Sequence, residues 1–146
     1  FVNEEPSRII DICKQYGFST IQLHGDETPS ICKNLQNHFK IIKAFRVSDS
    51  LPSNLNDYYQ CCNYFLFDSA GTNYGGNGVQ FNHKIIIDHP ITKPFFLSGG
   101  ISINDAEYLK TIKNPMFYGV DINSKFETSP GIKNISMLKQ FINHIK

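Results

Sequence analysis

Phe95-Phe96-Leu97-Ser98-Gly99-Gly100-Ile101-Ser102-Ile103-Asn104-Asp105 holds one whole strand-to-helix transition. Phe95 to Leu97 is a short apolar run, as expected of a strand covered on both faces. Gly99-Gly100 allows a tight turn. Ser102 then predicts a helix N-cap, with Asp105 at the third position as a capping-box variant. Ala106, Leu109 and Ile112 give that helix its inner face. Moving outward, the same alternation repeats. Strands are expected at Thr20–Leu23, Ile41–Phe45 and Tyr64–Phe67 upstream, and at Met116–Val120 downstream.

Helices fill the intervals. Ile9, Ile12, Cys13 and Tyr16 fall at helical spacing, with Pro6 in the first turn, where a missing N–H costs little. Thr28 is an N-cap followed by Pro29, and Ile31, Leu35 and Phe39 line that helix. A looser helix is expected near residues 52–59. A weak one near 84–87 follows the Gly-rich loop 71–78, whose segment Tyr74-Gly75-Gly76-Asn77-Gly78 would close over a ligand. Ile135, Leu138, Ile142 and Ile145 mark the last helix. Repeated βα units of about 20–25 residues predict a parallel sheet. Phe1-Val2-Asn3 reads as the end of a further strand. No linker or low-complexity stretch interrupts the chain, so residues 1–146 are expected to be a single domain. A closed (β/α)8 TIM barrel typically takes about 200–250 residues, so this α/β chain is expected to form an incomplete one.

Composition removes several classes of function. Hydrophobic residues make up 40% and charged residues 18%, which excludes disorder. The formal net charge of +1, with both signs scattered, supplies no basic stripe for nucleic acid. No apolar run approaches the roughly 20 residues that span a bilayer, and Asn3, Glu4, Glu5 and Arg8 interrupt any signal-peptide pattern. Cys13, Cys32, Cys61 and Cys62 form no C-x-x-C pair, which fits free thiols in a reducing cytoplasm.

In such a barrel the chemistry sits at the C-terminal ends of the strands. The residues there are Gln22-Leu23-His24-Gly25-Asp26-Glu27, Lys43-Ala44-Phe45-Arg46, Asp68-Ser69, Ser98-Gly99-Gly100 and Asp121-Ile122-Asn123-Ser124. Asp68, at the mouth between apolar walls, is a candidate general acid or else a loop cap. The last two loops, with Ser98, Gly99, Gly100, Asp121, Asn123 and Ser124, stand where this fold commonly binds phosphate through backbone N–H groups. The plainer account of Gly99-Gly100 is a tight turn. His24 matches no zinc template, so no metal is expected, and substrate bonding competes with a structural role. Lys43 and Arg46 either pair with a carboxylate or reach solvent.

These pieces, in this order, resemble the phosphoribosylanthranilate isomerase family over nearly the whole chain. The resemblance rests on Phe1-Val2-Asn3-Glu4-Glu5-Pro6, Ile21 to Glu27, Ile42 to Val47, Phe67-Asp68-Ser69, Tyr74 to Gly78 with Phe81, Phe96 to Ile101, Gly119 to Ser124, Glu127 and Pro130 to Lys133. It implies a cofactor-free Amadori rearrangement in tryptophan biosynthesis, an aldose–ketose isomerisation of a small phosphorylated substrate. Asp68 would protonate the ribose ring oxygen. Gly99, Gly100, Asn123 and Ser124 would lie near the phosphate, with His24 and Asp121 as further substrate contacts, and Arg46 as a candidate beside them. Two positions depart from the family pattern. Lys125 replaces a glycine of the phosphate loop, and Phe81-Asn82-His83 replaces Phe-Asp-Trp. On the family's pattern the chain starts at the end of the third strand, without the first-strand cysteine that serves as base. Cys13, Cys32, Cys61 and Cys62 lie elsewhere, so the chain alone is expected to be inactive. Its exposed sheet edges invite self-association. The competing readings are a non-catalytic phosphate-ligand binding module and a sibling sugar-phosphate barrel enzyme.

Overall fold

A computed structural model describes residues 1–70 and 82–145. The Gly-rich loop and Phe81 lie outside the described residues. The elements run α1 (Pro6–Tyr16), β1 (Thr20–Leu23), α2 (Pro29–Gln36), β2 (Lys40–Val47), β3 (Tyr64–Ser69), α3 (Lys84–Ile87), β4 (Phe95–Leu97), α4 (Ala106–Lys110), β5 (Phe117–Val120), β6 (Glu127–Ser129), β7 (Ile132–Lys133) and α5 (Ile135–Ile145). Strands β1 to β5 form one parallel sheet in sequential order. Sequential parallel strands joined by crossovers of one hand place their helices on one face of the sheet.

Alternation along the strands separates the two faces. Phe45, Phe65, Phe67 and Phe95 interlock through ring contacts of 5.2–6.2 Å on the helix-covered face, where Tyr58 and Tyr59 also meet Phe45 and Phe65. The opposite face carries Gln22, Ala44, Leu66 and a Tyr64–Phe96–Tyr118 cluster. Phe1 extends the sheet beyond β1: its amino group donates to Gln22 O at 2.8 Å and its carbonyl accepts from His24 N at 2.8 Å. Residues 1–3 themselves are not part of a strand.

Caps match the sequence closely. Thr28 Oγ1 accepts from Ile31 N, Pro6 and Pro29 open their helices, and Ser102 with Asp105 forms a reciprocal capping box. That box begins with a 3-10 turn, Ile103–Asp105, before α4. Three expectations need correction. Residues 55–58 form a 3-10 helix rather than an α-helix. Asp68 and Ser69 lie within β3 rather than after it. The buried face of α5 is centred on Phe141, whose ring meets Phe126 at 4.9 Å, while Ile135 and Ile142 are 59% and 43% exposed. Both were legible as helical spacing, but the aromatic contact rotates the helix toward Phe141. The β6–β7 hairpin was also not anticipated. Pro130 and Gly131 form its turn, with Gly131 at φ 82, the pairing a type II turn requires.

One buried ion pair joins the sheet to the rim. Lys43 Nζ lies 3.1 Å from Glu27 Oε2, with both side chains at most 3% exposed. The ammonium also donates to the carbonyls of Leu23 (3.3 Å), Gly25 (2.7 Å) and Ala44 (3.0 Å). Glu27 in turn accepts from Asn3 N (2.9 Å) and Gly25 N (3.0 Å). Of the two fates open to Lys43, pairing with a carboxylate is the one realised. Lys43→Met strands a buried carboxylate and is expected to destabilise the chain by about 3–5 kcal/mol. Urea denaturation followed by circular dichroism reads this, and a loss below about 1 kcal/mol would contradict the role given to the pair.

Candidate active site

β1, β3, β4 and β5 deliver polar groups to one rim. There Gln22, His24, Asp68, Ser98, Gly99, Gly100, Asp121, Asn123, Ser124 and Lys125 line a cleft of about 180 Å³. Gln22 and His24 point the same way because they are two residues apart at the end of a strand. The Gln22 side-chain nitrogen and His24 Nδ1 lie 3.1 Å apart, within hydrogen-bond range. His24 Nε2 lies 3.2 Å from Asp68 Oδ2, within ion-pair range but without hydrogen-bond alignment. The two side chains are therefore close neighbours without a formed hydrogen bond.

Asp68 is 6% exposed, and its two oxygens differ. Oδ1 accepts from Ser69 N at 2.9 Å, whereas Oδ2 faces His24. A proton on this carboxyl is directed to Oδ2 and the cleft.

Gly99 has φ 84, and a Cβ there would stand 2.5 Å from Ser69 N. Only glycine allows β4 to turn this close to the end of β3. That geometry satisfies the plain turn account and also brings the Gly99-Gly100 backbone to the cleft wall. Burial raises the pKa of Asp121, as does the negative charge of Asp68; His24, a hydrogen bond with Ser98 and Lys133 oppose the shift. Asn123 is held from the hairpin, where Lys133 Nζ donates to Asn123 Oδ1 and, at 2.6 Å, to Glu127 Oε1. Lys133 holds the Glu127 carboxyl below its usual range.

Of the candidates read from sequence, His24, Asp68, Ser98, Gly99, Gly100, Asp121, Asn123 and Ser124 share this cleft. Arg46 does not. It lines an adjoining space of about 290 Å³ with Gly25, Asp26, Pro52 and Asn54, which touches the cleft only through His24. Arg46 pairs in register with Asp68, but Arg46 lines the adjoining space and the cleft is lined by residues at the ends of β1, β3, β4 and β5. Gln22 and Lys125 are additions. The two-residue step from His24 could have found Gln22; Lys125 was visible as a family departure, and it lines the cleft. His83 is buried at the start of α3 against the Tyr108 ring, a structural placement. None of the four cysteines lines the cleft, and all are buried free thiols.

An arc of five parallel strands with polar groups gathered at their C-terminal ends is the architecture of an incomplete (β/α)8 barrel. The family model for N-(5'-phosphoribosyl)anthranilate isomerase matches residues 1–144, and the chain belongs to that family. N-(5'-phosphoribosyl)anthranilate isomerases from Parabacteroides distasonis and Phocaeicola vulgatus are 37% and 38% identical, over 99% and 100% of this chain. The chain spans 66% and 72% of the lengths of those two curated relatives. The phosphoribosyl anthranilate isomerase of Thermotoga maritima superposes with a TM-score of 0.79 at 28% identity, covering 99% of this chain and 70% of that one. The Thermus thermophilus structure, at 21% identity, shares the fold with a TM-score of 0.83 and is covered to 69% by 99% of this chain. A further isomerase structure, in complex with reduced 1-(o-carboxyphenylamino)-1-deoxyribulose 5-phosphate, is 25% identical with a TM-score of 0.71; 99% of this chain covers 68% of it.

The raised pKa of Asp121 has a consequence for stability. Its folded pKa lies above the unfolded value near 3.8, so folding favours the protonated form. The carboxyl therefore costs no stability below that value and becomes destabilising as the pH rises through the folded pKa. Asp121→Asn is expected to stabilise the unliganded chain at neutral pH, with the gain vanishing near pH 3. Urea midpoints across that range test this; a gain independent of pH would contradict it.

Proposed function

We propose that residues 1–146 form one domain carrying the substrate cleft of an isomerase that converts N-(5'-phosphoribosyl)anthranilate into its 1-deoxyribulose 5-phosphate isomer. The single observation that carries the reading is that Asp68 Oδ2, beside His24, shares one cleft with the Gly99-Gly100 and Asn123-Ser124 loops. Asp68 delivers a proton from Oδ2 to the ribose ring oxygen, and the ring bond to C1 opens as the proton arrives. The C2 proton then leaves to a base, which the family resemblance assigns to a first-strand cysteine and which none of the cysteines here replaces. Ser98, Gly99, Gly100, Asn123 and Ser124 hold the phosphate, and Lys125 adds a positive charge at that end. Asp121, with its proton affinity raised by burial, bonds a substrate hydroxyl. His24 holds the acid and meets the ribose. No cofactor or metal enters this scheme, and a reducing cytoplasm suits its four free thiols.

Isomerase turnover, read as loss of anthranilate-type fluorescence, tests the assignment with this chain alone and with a family N-terminal segment added. Activity is expected with the segment and not without it, and Asp68→Asn should lower it by about 10²–10⁴-fold, the usual contribution of a general acid. Substrate binding without turnover in the supplemented barrel would favour a non-catalytic phosphate-ligand module instead.

Self-association belongs to the same proposal. Tyr118, on the outer strand β5, is 63% exposed, and an open strand edge favours pairing with a second copy. Sedimentation equilibrium should show concentration-dependent dimers, and a monodisperse monomer at all concentrations would refute this.

A further inference from the structure

Three of the four cysteines meet in one place, on the helix-covered side of the sheet. Cys32 comes from α2; Cys61 and Cys62 come from the segment between the 3-10 helix at 55–58 and β3. Their three sulfurs all lie within 4.8 Å of one another, and the residues are 0%, 3% and 1% exposed. Cys61 Sγ and Cys62 Sγ stand 4.0 Å apart. A metal bonded to three sulfurs at about 2.3 Å in a trigonal plane holds them about 4 Å from each other, so the cluster needs little contraction to close around an ion.

We propose that Cys32, Cys61 and Cys62 form a trigonal three-sulfur site for one soft d10 cation, with copper(I) as its best-matched occupant. Ligand softness and ligand number both point that way. Among the described residues no histidine or carboxylate joins the three sulfurs, so oxygen-seeking ions have nothing to hold and zinc lacks its usual fourth side chain. Closure converts three thiols into thiolates, releases three protons and leaves the oxidation state of the metal unchanged. The resulting charge of −2 is set against cations already nearby. Lys93 Nζ donates to Cys62 O at 2.7 Å and favours the Cys61 thiolate, and Lys43 favours that of Cys32, although its partner Glu27 opposes it. The sulfurs already share protons: a hydrogen bond with Cys62 lowers the Cys32 thiol's pKa and raises that of Cys62. The site does not depend on the isomerase reading, because none of its residues lines the cleft.

The test is an anaerobic copper(I) titration of the reduced chain against a colorimetric copper(I) chelator, with the thiolate-to-copper absorption band recorded in parallel. One equivalent is expected to transfer from the chelator. Cys32→Ser should weaken binding by more than the roughly 10–100-fold that losing an outer-sphere partner costs. Cys13→Ser, which removes the cysteine outside the cluster, should leave the affinity unchanged. If Cys32→Ser fails to fold by circular dichroism, Cys62→Ala serves as the second variant with the same expectation. Failure of the natively folded chain to take copper(I), or binding that survives both cluster variants, would overturn the proposal and return the three thiols to ordinary apolar filling. A stronger one-equivalent response to zinc(II) than to copper(I) would overturn the trigonal assignment.

Discussion

The rim of this sheet depends on the Lys43–Glu27 pair. Lys43 belongs to β2 and points to the helix-covered face, where a lone ammonium would be costly to bury. Glu27 lies just past β1, and its carboxylate faces the same space. Because each charge needs the other, the loop after β1 cannot drift from β2. Both partners recruit backbone groups from that loop, and Glu27 reaches the N-terminal segment through Asn3 N. Asn3 adopts φ 51, tolerable for asparagine, and its side-chain oxygen accepts from Asp26 N at 2.6 Å. Gly25 passes so close to Asn3 that no Cβ fits between them. His24 is thereby clamped from both sides, which fixes its ring against Asp68.

The two faces of the sheet divide the work. Phenylalanines from β2, β3 and β4 fill the helix-covered face and determine how the strands stack. Residues one step along the same strands project to the other face and end in the polar rim. Asp68 follows Phe67 and pairs in register with Arg46, so its position is inherited from apolar packing one residue away. Gly99 then sets how near β4 can come, and its missing Cβ is as much a part of the cleft as any side chain.

Most of this architecture was legible because it rests on local rules. Strand runs, proline at helix starts, the Thr28 cap and the Ser102–Asp105 box involve neighbours in sequence, and the structure reproduces them. What was not legible depended on partners distant in sequence. Nothing near Lys43 shows that Glu27 will neutralise it, so the lysine was left between two fates. Arg46 read as a rim residue, as its strand position required, but it lines the space adjoining the cleft. The hairpin from Glu127 to Lys133 was announced only by Pro130-Gly131, while its strands are too short for an alternation pattern. Helix α5 showed correct periodicity, yet Phe141, not the isoleucines, decided its orientation through one contact with Phe126. Lys133 bonds Asn123 only because that hairpin folds back.

Charge is distributed unevenly around the cleft, and that distribution orients the proposed substrate. Asp68 and Asp121 both line the cleft with His24, and burial, then the charge of Asp68, raise the cost of ionising Asp121. A phosphate placed there would add more negative charge to a site already resisting it. Positive charge comes from Lys125, which lines the cleft with Gly99-Gly100 and Asn123-Ser124, and from Lys133, which bonds Asn123. On the proposed isomerase reading, the phosphate sits with the glycines and Lys125, which leaves the ribose ring to the Asp68 oxygen that faces the cleft. Lys125, where the family pattern has glycine, strengthens this polarity instead of disrupting it. Asp121 fits the same reading: on it, the carboxyl whose burial raises its pKa is the one that bonds a substrate hydroxyl.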